Sequence, residues 1–381
     1  MRFVLACYGS RGDVEPFAAL ARELAHRGHQ VSLAVPPYMV GFVESAGLAA
    51  TNFGPDPPAS TAQNPIHAVT EIVGHLTEAC AQWGATLAEL GRGADLLVTG
   101  RGEQGLAANV AEYHGIPAVA LHFFPGDGHR PSGLIGQVTR DAEDAQRRRL
   151  GLDPTTEAPE TALEIQAYDQ IGFPELAAAW AEQGRRRPFV GALTLQLPTD
   201  ADEDVASWIA HGPPPIYFGF GSAVRFASSA ATVAVIAAAC ARLGERALIC
   251  TGPNDVTGQS EDIKVVAAVN HSAILPACRA VVHHGGAGTT AAGMRAGIPT
   301  LILWHEIDDQ PVWAAAVERL EVGIGRPFWS ASEQSLVADL RSILTAECTA
   351  KAREVGAKTT TADESVAMTA DLLEDTARAG T

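Results

Sequence analysis

The sequence has no apolar run long enough to cross a membrane. Its longest, from Ala230 to Ala241, stops at Arg242, where a spanning helix needs roughly 20 such residues. It has no leader pattern either. Six apolar residues, Phe3 to Tyr8, run straight into a turn with Arg11 and Asp13, whereas a secretory h-region takes roughly 7–15 and then a small-residue cleavage site. The 6 cysteines form no C-x-x-C pair and are scattered from Cys7 to Cys348, which reads as free thiols in a reducing compartment. Positive charge is scarce: 27 Lys and Arg stand against 44 Asp and Glu, a formal net charge of −17. Such a field repels phosphate backbones and argues against nucleic acid as a partner. There is no H-x-x-x-H pattern, and adjacent His283 and His284 on a strand point to opposite faces, so His271, His283, His284 and Asp308 do not read as a metal site. No repeat or low-complexity tract occurs beyond alanine richness. The expectation is a soluble cytoplasmic protein, monomer or weak homodimer, with a membrane surface left open as a transient partner.

What is present is a long apolar chain. Of 381 residues, 47% are apolar and 19% charged, which excludes a disordered chain, and the length predicts two domains. Arg2–Tyr8, apolar from Phe3 onward, has the pattern of a strand buried on both faces. The turn Gly9-Ser10-Arg11-Gly12-Asp13 follows. Pro16 suits a first helical turn, and Phe17, Leu20, Ala21 and Leu24 recur at helical spacing up to Gly28. Gln30–Val35 reads as the next strand, so the chain opens β-α-β and implies a parallel sheet.

The rhythm continues with strands at Asp95–Thr99 and Pro117–His122 around a helix at Gly105–His114. The stretch 126–160 lacks periodicity and predicts a loop or a helical segment. Pro- and Arg-rich chemistry near 190–212 marks a boundary, giving domains 1–198 and 199–381, with the last helix free to pack back on the first domain. A second β-α series then runs through strands at Ile216–Phe220, Ala247–Thr251, Ile263–Val266, Ala280–His283 and Thr300–Trp304, with helices near 332–345 and 348–375. The fold class is α/β, and ligands of such sheets sit at the carboxyl ends of the strands.

The strongest local signal is Val281-Val282-His283-His284-Gly285-Gly286-Ala287-Gly288-Thr289-Thr290. A buried strand runs into glycines and opens a helix, so free amides and the positive end of the helix dipole converge, as suits a phosphate. Thr289 and Thr290 can cap the helix and donate to phosphate oxygens; His284 can donate to the same group. The plainer reading is a glycine turn with a threonine cap. Gly286-Ala287-Gly288-Thr289-Thr290-Ala291 also fits the G-x-G-x-x-A dinucleotide pattern, with Asp308 and Asp309 about 20 residues on. An NAD(P)-dependent oxidoreductase is therefore a rival, weakened because the helix is short and the acids lie in a loop.

Asp13, at a strand-to-helix loop, is either a helix cap or a general base. Phe218-Gly219-Phe220-Gly221-Ser222 leads a strand into a second anion-friendly turn. Trp304 to Gln310 brings an aromatic face, a carboxylate and an amide to one strand end, equipment that both accepts from and donates to sugar hydroxyls. His122, Phe123 and Phe124 end a central strand. They are candidates to line an acceptor pocket, although the two aromatics fit plain core packing equally well.

At these residues the chain resembles the bacterial family-1 glycosyltransferases with the GT-B fold, two Rossmann-like parallel-sheet domains facing a central cleft. That group includes the glycopeptide-antibiotic, sterol and actinobacterial glycopeptidolipid glycosyltransferases. The matching pieces, in family order over residues 1–325, are GSRGDVEPFAALARELAHRGHQV, GPPPIYFGFGS, VNHSAILP, VVHHGGAGTTAAGMRAGIPTLI and DQPVWAAAVERL. The resemblance implies a nucleoside diphosphate sugar on the C-terminal domain and a hydrophobic hydroxyl acceptor on the N-terminal one. Asp13 takes the position of the general base. Ser10 and Ser222 match positions near the diphosphate, and His284, Gly286, Ala287, Gly288 and Thr289 match its cradle. Val269, Asn270 and His271 flank the nucleoside base, and Asp309 and Gln310 grip the donor sugar. The implied reaction is inverting, with no metal and no other cofactor.

Two departures stand out. Ala292 replaces the glutamate of plant relatives, leaving UDP and dTDP open, and His305 replaces a frequent proline. The same motifs also admit a nucleotide-sugar epimerase or a catalytically silent nucleotide-binding protein.

Overall fold

The computed structural model describes residues 1–56, 65–126, 133–154, 161–182, 187–221, 230–252, 258–305 and 309–380. They divide into two compact units. Unit 1 comprises Met1–Ala167, Ala178–Leu195 and Ala362–Thr381; unit 2 comprises Tyr168–Ala177 and Gln196–Thr361. The division thus falls between 195 and 196, and it assigns 168–177 to the second unit and the C-terminal helix to the first. Gln196, the first residue past that boundary, has φ 52°, a left-handed conformation uncommon outside glycine.

In unit 1 the strands are β1 (Arg2–Ala6), β2 (Gln30–Val35), β3 (Thr51–Asn52), β4 (Leu96–Thr99), β5 (Ala118–His122) and β6 (Leu163–Gln166). They form one sheet in the order β3-β2-β1-β4-β5-β6, with parallel pairs such as Ala6 opposite Ala34 on one side and Thr99 on the other. Phe3, Val4 and Leu5 are fully buried because helices cover both faces of the sheet. The helix Arg11–His26 turns Phe17, Leu20 and Leu24 inward at helical spacing, all fully buried. Each such side chain contributes about 1.5–3 kcal/mol of transfer free energy.

The C-terminal helix Ala362–Ala379 is tied to the first helix by charge. Arg27 reaches Glu23, Asp371 and Glu374 at 2.7, 2.6 and 3.1 Å, and His29 Nε2 lies 3.1 Å from Glu374.

Part of the aperiodic stretch 126–160 is an 18-residue helix, Gly133–Leu150. Its inward face is polar, which hides it from hydrophobic periodicity. Gln146 donates to the Gly84 carbonyl at 3.2 Å and accepts from Asn109 at 3.0 Å, and Arg147 pairs with Glu112 at 2.6 Å. Each buried polar group there is matched, as burial requires.

In unit 2 the strands are β7 (Ile216–Gly219), β8 (Ala247–Cys250), β9 (Gly258–Gln259), β10 (Ile263–Val266), β11 (Ala280–His283), β12 (Thr300–Trp304) and β13 (Gly323–Pro327). The order is β13-β12-β11-β7-β8-β10-β9. All pairs are parallel except β9 against β10. Two apolar clusters cover its faces, one around Phe218, Val282 and Leu340, the other around Leu248, Leu275 and Val281. The expected helix over 348–375 is two helices, Ala346–Gly356 and Ala362–Ala379. Gly356 lies so close to the preceding layer that a Cβ there would stand 2.7 Å from the Met294 carbonyl. The threonine run 359–361 that follows is a poor helix former, and its Thr360 amide is taken by Asp169 at 2.8 Å.

Counting only the parallel strands, and so leaving out the antiparallel β9, both sheets run 3-2-1-4-5-6 from the first strand of each unit. The order reverses between β1 and β4 in unit 1 and between β7 and β11 in unit 2. The carboxyl ends of those strand pairs are the places where a wound sheet leaves a crevice for a ligand.

Candidate active site

In unit 2 the reversal is occupied by the glycine turn after β11. Gly285 has φ +95°. A Cβ there would stand 2.9 Å from Ile302 Cγ2 and 3.0 Å from Gln310 Cβ, so only glycine fits. Its amide donates to His283 Nδ1 at 3.0 Å. Gly286 is the N-cap of the helix Ala287–Ala296, whose first-turn amides have no acceptor within the helix. Gly288 is exposed and Thr289 half-buried. Thr290 departs from the expectation of a phosphate donor. It is fully buried, and its hydroxyl donates back to the Gly286 carbonyl at 2.9 Å.

The His284 ring is wedged between two glycine turns. A Cβ on Gly286 would meet its Nε2 at 2.6 Å, and one on Gly221, at φ +74°, its Cε1 at 2.8 Å. Burial lowers its pKa, opposed by a hydrogen bond to the Gly219 backbone, and its Nδ1 is buried without a hydrogen-bond partner. A neutral imidazole has a single N–H, for which an anion's oxygen would compete with the Gly219 backbone. Ser222, on the other side of Gly221, lies outside the described residues.

Next along the sheet, the His305 ring packs on Phe328 with ring centroids 4.2 Å apart, and burial lowers its pKa to about 4. Its backbone amide donates to Gln310 Oε1 at 2.8 Å. Gln310 is buried, so its carbonyl is committed to shaping the turn, whereas Asp309, N-cap of the helix Gln310–Arg319, is half-buried. Val269 is buried in the core. Asn270 caps the short helix that follows, accepting from Ser272 at 3.1 Å, and its amide donates to Asp202 at 2.8 Å. His271 Nε2 stands 2.9 Å from the Tyr217 hydroxyl. The chain's own partners therefore hold this segment in place.

In unit 1 the reversal is occupied by the turn after β1. Asp13 is the third residue of its helix, and its Oδ2 accepts from the Ser10 amide at 2.6 Å and the Ser10 hydroxyl at 2.9 Å. A Cβ on Gly9 would run into that carboxylate. Ser10, expected near a diphosphate, is thus bound to Asp13. Tyr38 donates to the Gly9 carbonyl at 2.9 Å, and Tyr8 packs against Tyr38, His75 and Trp83.

His122, at the end of β5, is buried. Its Nε2 lies 3.8 Å from Glu164, which Arg187 engages at 2.6 Å, and burial with the nearby cations Arg187 and Arg101 lowers its pKa to about 4. Phe123 packs edge-on against Phe17, and Phe124 lies under the Arg101 guanidinium.

Glu103 does not stand out in the sequence. It is 3% exposed at the end of β4, and its Oε1 accepts from the Tyr8 amide at 3.1 Å. The signal that could have found it is an acid four residues past a buried strand that neighbours the Asp13 strand. Among the described residues no three His, Cys, Asp or Glu side chains converge as metal ligands, and no helix is long and apolar enough to cross a membrane.

Comparison with known proteins bears on both units. Residues 3–93 match the glycosyltransferase family 28 N-terminal domain, and residues 250–371 match the erythromycin biosynthesis protein CIII-like C-terminal domain. An uncharacterized glycosyltransferase of Mycobacterium tuberculosis is 52% identical over 99% of this chain and 99% of its own. The vancomycin aglycone glucosyltransferase of Amycolatopsis orientalis is 30% identical over 98% and 97%. The crystal structure of the glycosyltransferase VinC in complex with dTDP superposes with a TM-score of 0.71 at 19% identity, covering all of both chains.

Proposed function

The chain belongs to the nucleotide-sugar-dependent glycosyltransferases of the GT-B kind, and on that premise we propose that it moves a hexose from a UDP- or dTDP-hexose to a hydroxyl of a hydrophobic acceptor. The acceptor class is a lipid, glycopeptidolipid, sterol or natural product; the relative that acts on vancomycin aglycone supports a natural-product body. The transfer is inverting and uses no metal or other cofactor. The protein works in the cytoplasm, in keeping with its free cysteines.

The observation that carries this reading is the anion cradle of unit 2: a left-handed Gly285, a helix opening at Gly286 and a wedged neutral His284. Together they offer His284 and the amides of Ala287, Gly288 and Thr289 to a diphosphate. The dTDP bound by VinC supports such a ligand. As the glycosidic bond to the leaving diphosphate breaks, those donors and the helix dipole stabilise the charge that grows on its oxygen. Half-buried Asp309 accepts from the donor sugar's hydroxyls, and buried Gln310 holds the turn that presents it. Ser222 and the 269–271 segment complete the nucleotide side. Asp13 removes the proton of the acceptor hydroxyl as its oxygen attacks the anomeric carbon from the face opposite the diphosphate. Ser10 orients that carboxylate, and His122 and Phe124 line the acceptor side.

Calorimetric titration with UDP, dTDP and NAD tests the reading. Binding of UDP or dTDP, weakened by His284→Ala, is expected. Binding of NAD alone would return the glycines at 285–288 to a dinucleotide role and remove the donor assignment.

A further inference from the structure

The carboxyl group of Glu103 is buried beside the turn that carries Asp13, and no step described above uses it. It sits at the reversal of the first sheet, reached from β4 by four residues. Its Oε1 takes the Tyr8 amide at 3.1 Å, the amide that opens the turn after β1. Its Oε2 leans over Gly100, where a Cβ would stand 3.0 Å away. Although Glu103 is the N-cap of the helix Gln104–His114, its side chain makes no cap hydrogen bond. The carboxyl takes two backbone amides, its own and that of Tyr8, but pairs with no cation among the described residues, and a carboxyl so shut away from water is costly to keep as a mere strut.

Acids and thiols approach it from four neighbouring elements, and the Tyr8 phenol belongs to the residue whose amide it binds. Asp13 couples to it from the first helix, Cys7 from the end of β1 and Cys80 from the helix Pro65–Leu90. Glu143, on the helix Gly133–Leu150, packs against Gly105 two residues on. All four neighbours are acids or thiols. Burial, reinforced by Asp13, pushes the Glu103 carboxyl up to about 8. At neutral pH it therefore carries its proton and adds no second charge beside Asp13.

We propose that Glu103 is a positioning residue for Asp13, fixing the Gly9–Asp13 turn through the Tyr8 amide and setting the proton affinity of the Asp13 carboxylate. The inference rests on Asp13 being the base. Coupling between two acids is reciprocal: an ionised Glu103 makes Asp13 a stronger base, and a charged Asp13 keeps Glu103 protonated. Loss of the Glu103 proton on raising the pH should then quicken proton removal by Asp13.

The test uses the full chain and needs no known acceptor. The carbonyl stretch of a protonated carboxyl is followed by infrared difference spectroscopy, wild type minus Glu103→Gln, from pH 5 to pH 10. Glutamine keeps an oxygen for the Tyr8 amide but cannot ionise. A band that disappears near pH 8 is expected, and in Asp13→Asn its loss should move down by at least about half a pH unit. Hydrolysis of UDP-glucose and dTDP-glucose, with water as the acceptor, is measured in parallel. Its rate should rise about twofold or more between pH 7 and pH 9 in wild type and stay flat in Glu103→Gln.

A Glu103 band absent above pH 6, or unmoved in Asp13→Asn, overturns the proposal, as does a Glu103→Gln rate profile superimposable on wild type. Each of these leaves Asp13 as the base. Hydrolysis undiminished in Asp13→Asn instead removes Asp13 as the base, and this role of Glu103 with it.

Discussion

The two units wind their sheets in the same order and place their turns at the same reversal, yet the turns end in opposite chemistry. After β1 the chain presents carboxyl groups: Asp13 tied to Ser10, and Glu103 behind it. After β11 it presents glycines, helix amides and imidazoles that burial keeps neutral. A carboxylate repels a diphosphate, and an anion cradle cannot take a proton from an alcohol. The shared winding supplies a crevice in both units, and a few turn residues decide what each can do there. The most informative perturbations are those that make one turn behave like the other.

The largest effect is expected at Asp13. Asparagine keeps an oxygen for the Ser10 amide, so the cap survives and only the proton acceptor is lost; alanine would also cost the cap, about 1 kcal/mol. Asp13→Asn should lower turnover by about 100-fold or more while calorimetric affinity for UDP or dTDP stays at the wild-type value. A fall in affinity matching the fall in turnover would mean that Asp13 serves the fold or the donor, not the proton.

Next comes Gly285→Ala. The left-handed backbone strains any side chain by about 1–2 kcal/mol, and the new Cβ would press on Ile302 and Gln310. The turn must shift, and affinity for the nucleoside diphosphate should fall by about 10-fold or more. Full retention of affinity would show that the cradle does not depend on this turn. His284→Ala removes one donor and leaves the helix amides in place, so a smaller loss, about 3- to 10-fold in affinity, is expected. An unchanged affinity would take His284 out of the cradle.

How much of the fold and the site is legible in the sequence follows from what each element is made of. β1, β2 and the helix over Arg11–His26 announce themselves because period and burial agree: Phe17, Leu20 and Leu24 fall on one face, and Phe3 to Leu5 are apolar throughout. The strands around His283 and Trp304 are legible for the same reason, and the glycines after β11 mark the turn proposed as a cradle. The helix Gly133–Leu150 is only half legible, as one of two alternatives over 126–160, because it buries Thr139, Gln146 and Arg147 against polar partners. Glu103 escapes sequence reasoning because a single acid in a loop has no period; only strand order brings it to the Asp13 turn. The occupation of Thr290 by the Gly286 carbonyl, and of Gln310 by the His305 amide, depends on rotamers that spacing cannot give.

The smallest effect is a stability slope of opposite sign in the two units. In unit 2, burial holds His283 well below its ordinary range, lowers His284 and brings His305 to about 4. Below about pH 6.5 the unfolded chain protonates these rings and the folded one does not, so stability falls as pH drops from there toward 4. His122 in unit 1 adds to the same trend. Glu103 works the other way. Raised to about 8, it stays protonated in the fold while the unfolded chain has lost that proton above about pH 4.3, so stability falls as pH rises through that window. Hydrogen exchange resolved by peptide separates the two. Acidification from pH 6.5 to 4.5 should loosen the peptides around 280–290, and alkalinisation from pH 6 to 8 those around 1–14 and 96–106. His283→Asn keeps an acceptor for the Gly285 amide and cannot be protonated, so it should flatten the acid slope of unit 2. If both regions loosen together at either end, the two turns do not titrate as separate sites, and the contrast between a proton-handling unit and an anion-holding unit fails.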